Sequence, residues 1–160
     1  MIEVGNEAAV HLEECARDSI TRHAEGGFPN EICGLLLGKD VQGRRVISNS
    51  IPIENAFEKG EQYHRFSITP QAMLAAEKMA RLDRLDVVGV YHSHPNSPAR
   101  PSEYDRDHAA WTSWTYIIVS VHDSIAADIR AWKLEEDRSA YTEVELSLEG
   151  DAGVEPLTGC

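Results

Sequence analysis

His92, His94, Ser102 and Asp105 stand in the pattern H-x-H, seven intervening residues, then S-x-x-D. Two imidazoles and a carboxylate make the nitrogen and oxygen set that holds catalytic zinc, with bonds of about 2.0–2.2 Å and a fourth position left for water. The chemistry of such a centre is hydrolysis, because zinc brings the pKa of its bound water down to about 7. A hydrolase of this kind also needs a general base beside that water and outside the ligand set. Glu31, an acidic residue at the entrance to an apolar run, is the candidate.

The elements around these residues explain how they could converge. The run from Val87 to Tyr91 is apolar and rich in β-branched residues, as in a buried strand, and polar residues begin only at its end. His92 and His94 then share one face of the strand, separated by roughly 6–7 Å of backbone rise, and Pro95 stops it. A proline-studded loop follows, and Ser102 with an acidic residue three positions on is a helix start, which puts Asp105 in a first helical turn. Glu31 follows the turn Gly26 to Asn30 and precedes Ile32 to Gly38, which reads as a central strand. Each piece also has a plainer reading. Surface histidines pair by chance, S-x-x-D is commonly a capping box, and Glu31 could cap a turn or meet a surface base. The histidines at a strand end and the serine at a helix start, occurring together, favour the metal site.

The segments Glu31 to Gly38, Val90 to Pro95 and Pro101 to Asp105 together resemble the JAMM (MPN-plus) metalloprotease motif at every motif position, and the order of elements fits that domain over approximately residues 2–146. The resemblance implies one catalytic zinc per chain held by His92, His94 and Asp105, a water activated by Glu31, and a tetrahedral intermediate steadied by the Ser102 hydroxyl. A serine facing substrate would leave the first-turn amides of its helix to find other partners. The implied fold is α+β: a single JAMM/MPN-like domain with a mixed, mostly antiparallel sheet flanked by helices, layered as in cytidine deaminases. Two substrate classes come with the family, isopeptide bonds to ubiquitin-like modifiers and short extensions on ubiquitin-like sulfur carriers. This chain resembles the second, compact form, which implies a zinc peptidase that trims, or releases cysteine from, the C-terminal tail of a small sulfur-carrier protein. A deubiquitinase-like isopeptidase is the alternative. A non-catalytic MPN scaffold is the third reading, and the complete ligand set speaks against it. An extended tail would pair with an exposed edge strand beside the zinc.

The chain of 160 residues suits one domain, expected over 1–148, with 149–160 an unpatterned tail. Fifteen basic against 27 acidic residues give a net charge of −12, which disfavours nucleic acid and anionic membranes as partners. The acid excess fits a high-salt cytoplasm or a basic partner equally. No basic start with an apolar run and no apolar stretch of 18 or more residues is present, so the expected compartment is the cytoplasm. Cys15, Cys33 and Cys160 are expected as free thiols, Cys33 as a small core residue in preference to a fourth ligand. Helices are expected from about 6 to 24, from Pro70 to about 85, and from 102 to about 110. Strands are expected at 31–38, 44–53, 63–68, 116–121, 126–134 and 141–148, the last three antiparallel. His11, His23, His64 and His122 read as surface residues, and His108 as a partner orienting Asp105. Trp111 and Trp114 read as core or contact surface.

Overall fold

In the computed structural model, residues 9–109 and 111–148 are described. The chain runs β1 (Val10–Leu12), α1 (Glu14–Gly27), β2 (Cys33–Val41), β3 (Arg44–Ile53), a short 3-10 turn (Lys59–Glu61), α2 (Pro70–Leu82), β4 (Asp86–Pro95), α3 (Glu103–His108), β5 (Thr115–His122), β6 (Ile125–Leu134), β7 (Tyr141–Val144) and β8 (Leu146–Leu148). The strands form one sheet in the order β7-β6-β5-β4-β2-β3-β1-β8. It is mixed: β4–β5, β1–β3 and β1–β8 are parallel and the other pairs antiparallel. The fold is therefore α+β, as expected. Only Glu145 separates β7 from β8, so the sheet curls until its two edges approach each other.

Each face of the sheet carries a helix, and the alternation along β2 shows why its apolar run is continuous. Leu36 joins Ala16, Ile20 and Ala24 of α1 in one core cluster, with Leu12, Ile47, Tyr91 and Ile117. Its neighbour Leu35 points the other way, towards Ala76 of α2, Val90, Tyr116 and Leu134. A strand buried on both faces has no polar side to show. Ala16, Ile20 and Ala24 recur at the four-residue helical spacing, which lets α1 lie close on the strands. Two glycines permit close approaches inside the sheet. A Cβ on Gly34 would fall 2.3 Å from the Tyr91 ring, and one on Gly89 would fall 1.9 Å from the Thr115 carbonyl oxygen.

Several boundaries differ from expectation. Val10–Leu12 is a strand between β3 and β8, and α1 begins only at Glu14, so His11 is buried and bonds Ser147 Oγ at 3.1 Å. Residues 63–68 are not a strand, and His64 Nε2 lies 3.1 Å from Glu61 Oε2 instead of on a sheet edge. The last apolar stretch is divided into β7 and β8 at opposite ends of the sheet. Cys15 is disulfide-bonded, which corrects the expectation of three free thiols, whereas Cys33 is free and buried. The expected tail, 149–160, lies outside the described residues. Among those described, no helix is long and apolar enough to cross a membrane.

Candidate metal centre

β4 delivers the two histidines from the interior of the sheet, paired with β2 at His92 and with β5 through to Pro95. The edge strands are β7 and β8; β4 is interior, and Tyr141 of the edge strand β7 reaches the site, its hydroxyl donating to the Asp105 carbonyl at 3.2 Å. The residue between the histidines, Ser93, faces away and fixes the neighbouring chain: its Oγ accepts from Ile32 N at 2.9 Å, and its own amide donates to the Ile32 carbonyl. That places Glu31 beside the histidines.

The loop after β4 returns Asp105 as expected. His92 Nε2, His94 Nε2 and Asp105 Oδ2 lie 3.0, 3.1 and 3.5 Å apart. Two ligands of a tetrahedral ion bound at 2.0–2.2 Å stand about 3.3–3.6 Å apart, so these three atoms could hold one ion with only a slight expansion of the triangle. The donor set, two imidazole nitrogens and a carboxylate oxygen, suits zinc. His94 Nδ1 meets the Pro98 carbonyl at 2.8 Å, which makes Nδ1 the protonated nitrogen and leaves the Nε2 lone pair facing the cluster. The Phe66 ring stacks on His92 at 4.6 Å, and His92 Nδ1 is buried without a protein partner.

Charge is concentrated here. Burial would raise the Asp105 carboxyl, but His92, His94 and the Ser102 amide together hold it far below the usual carboxylate range. Burial would lower His92, and Asp105 more than offsets it, so the pKa of this imidazole is raised above its ordinary value. Glu31 is 6 % exposed, and Oε2 has no partner. Burial raises its pKa, with the charges of His92 and His94 pulling the other way.

Ser102 does cap its helix: Oγ accepts from Asp105 N at 3.0 Å while Asp105 Oδ2 accepts from Ser102 N at 2.8 Å. The expectation that facing a substrate would exclude capping is therefore too strict. An oxygen that accepts through one lone pair still carries a hydroxyl proton to donate. The carboxylate oxygen of the capping box is itself the one that meets both histidines.

His108 does not orient Asp105. Its Nδ1 bonds the Tyr104 carbonyl at 2.9 Å and its ring stacks on Tyr104 at 3.8 Å. Cys33 donates to the Ile53 carbonyl, and burial with the Glu31 charge pushes its thiol up to about 12, so it packs as a neutral thiol. Trp111 and Trp114 stack at 4.1 Å and, with Phe66, Met73 and Tyr116, wall an apolar trough of about 380 Å³ that opens onto His92 and Asp105. Phe66 of this wall, and Asn55 and Arg65, which are hydrogen-bonded to each other, carry no motif or periodicity that marks them in the sequence.

A sheet sandwiched by helices, with a histidine pair and a helix-start carboxylate converging at its mouth, defines a JAB/MPN-type domain. Residues 13–135 match the family of prokaryotic homologs of the JAB domain, and the chain belongs to that family. It is similar to a desampylase of Haloferax volcanii, 32% identical over 134 residues that cover 81% of this chain and 92% of the relative. It is also similar to a CysO-cysteine peptidase of Mycobacterium tuberculosis, 29% identical over 117 residues, 73% of this chain and 77% of that one. Among solved structures, a protein of Desulfitobacterium hafniense superposes with a TM-score of 0.76 at 29% identity, covering 88% of this chain and 92% of its own.

Proposed function

We propose that this chain is a zinc-dependent peptidase acting on the C-terminal tail of a small ubiquitin-like sulfur-carrier protein, trimming it or releasing cysteine from it. The observation that carries the reading is the convergence of His92 Nε2, His94 Nε2 and Asp105 Oδ2 beside a buried carboxylate, Glu31, whose Oε2 has no partner. Relatives named desampylase and CysO-cysteine peptidase support the substrate class.

Zinc held by the three side chains would supply a water acidified to about pH 7 and a Lewis acid for the scissile carbonyl. The remaining work belongs to the protein. Glu31 takes a proton at its unpartnered Oε2 and returns it to the leaving amine. Its raised pKa brings it closer to the operating pH, where a base that must also act as an acid works best. His94 stays in the tautomer that the Pro98 carbonyl dictates, and Asp105 stays anionic in the field of both histidines. The Ser102 hydroxyl, anchored by its oxygen to Asp105 N, donates its proton to the carbonyl oxygen as charge develops there. The apolar trough beside His92 excludes water and receives the apolar side chains of an extended substrate.

The test uses the zinc-loaded protein, a carrier protein ending in an added cysteine or short extension, and an isopeptide-linked conjugate, with masses read before and after incubation. Loss of the extension supports the proposal. An unchanged carrier with a cleaved conjugate supports the isopeptidase reading instead. A well-folded protein that takes up no zinc favours the scaffold.

A further inference from the structure

Glu31 precedes β2, and its position depends on a segment that is neither helix nor strand. Its amide donates to the Gln62 carbonyl at 2.7 Å, and its carbonyl accepts from Asn55 Nδ2 at 3.0 Å. The same Asn55 Nδ2 donates to the Arg65 carbonyl at 2.9 Å, while Asn55 Oδ1 accepts from the amides of Phe57 at 3.0 Å and Ser67 at 3.2 Å. A side-chain amide has two donor hydrogens and two lone pairs, and Asn55 uses all four. Gln62 Nε2 closes the arrangement on the Asn55 and Phe57 carbonyls. The segment so fixed carries Phe66, whose ring lies on His92, and Arg65, whose guanidinium sits 3.8 Å from the centroid of the Tyr104 ring, one residue before Asp105.

We propose that Asn55 is a positioning residue for the reaction, holding the Glu31 backbone and the Phe66 wall in register so that the Glu31 carboxylate meets the water. This inference rests on the reading of Glu31 as the base. Asn55 touches neither a ligand atom nor the substrate side of the cleft, and acts through Glu31. A catalytic group displaced by about 1 Å loses up to about 10²-fold in rate, and the Asn55 link is the direct side-chain tie between the Glu31 carbonyl and the 54–69 segment.

The variants are Asn55→Asp and Asn55→Ala, each alone and with Glu31→Gln, in the zinc-loaded full chain. Asn55→Asp keeps an oxygen for the Phe57 and Ser67 amides but replaces the donor that reaches the Glu31 carbonyl with a lone pair. It should retain hydrogen-exchange protection at Phe57 and Ser67, displace the Glu31 carboxylate by about 1 Å relative to His92 and His94, and keep zinc at the parent stoichiometry. Its kcat should fall about 10- to 100-fold with KM little changed. In the Glu31→Gln background the same substitution should cost less than about 2-fold more, because the group it positions is already gone. Equal fold-losses in the two backgrounds, or loss of zinc, would overturn the proposal. Should the parent hydrolyse nothing while binding zinc, the functional reading fails by itself. A crystal structure of zinc-loaded Asn55→Asp then decides separately: a Glu31 carboxylate unmoved relative to His92 and His94 sinks the positioning role, and a displacement of about 1 Å with zinc retained supports it.

Discussion

Glu31→Gln separates two consequences of one buried carboxylate. The native side chain is 6 % exposed, and Oε2 has no partner. A buried charged oxygen left unpaired costs roughly 1–3 kcal/mol. In the metal-stripped protein at neutral pH, the amide should therefore stabilise the fold by about 1 kcal/mol, after allowance for its own demand for hydrogen bonds. For a domain of this size that is a rise of about 3–5 °C in Tm. The pH dependence has a definite sign. Burial raises the Glu31 pKa in the folded state, so the folded protein binds more protons than the unfolded chain between the ordinary carboxylate value and the raised one. Native stability falls as pH climbs through that window, and Glu31→Gln lacks the fall. The two melting curves should converge at about pH 4 and separate by about pH 7. Turnover moves the opposite way, because removing a positioned base costs about 10²–10⁴ in kcat while leaving the zinc ligands untouched. Calorimetry of the stripped protein across this range, with kcat and zinc content of the loaded protein, measures both. A variant that melts below the native protein at neutral pH, or one within about ten-fold of native kcat, refutes the reasoning.

Ser102→Ala removes the oxygen that accepts from Asp105 N and should cost about 1 kcal/mol by denaturant titration. Zinc content should be unchanged, because the amide at position 102 still holds Asp105 Oδ2, and kcat should fall by up to about 10²–10³; full kcat would reduce the hydroxyl to a cap. Zinc affinity, measured by chelator competition, should climb with pH above about 6.5. His92 must lose its proton to bind, and the Asp105 carboxylate outweighs burial in holding that proton, so a pH-independent affinity would contradict His92 as a ligand. Gly34→Ala puts a Cβ 2.3 Å from the Tyr91 ring, whose hydroxyl bonds His23 Nδ1 at 2.8 Å. The overpacking should cost about 1–3 kcal/mol, and an unchanged melting temperature would mean the ring moves freely.

The pattern of what could and could not be read from the chain has a physical origin. His92 and His94 are legible because a strand's two-residue period puts both on one face, and Asp105 because a capping serine announces the helix that carries it. The β3 strand at 44–53, the start of α2 at Pro70 and the continuous burial of β2 follow from similarly local signals. Where partners are distant the local signal misleads. Val10–Leu12 extends a helix-like pattern, yet its backbone hydrogen bonds go to β3 and β8, the latter more than 130 residues away in sequence. Residues 63–68 look like a strand, yet the carbonyl of Arg65 and the amide of Ser67 are claimed by the side chain of Asn55. A side-chain amide that substitutes for a neighbouring strand leaves no periodicity behind. The three proposed ligands thus belong to regular elements and can be read from spacing, whereas the placement of Glu31 comes from cross-links between Asn55, Gln62 and Ser93 that only the folded chain brings together. For that reason the ligand set can survive substitutions at Asn55 that disable the base, and zinc content and kcat should separate there.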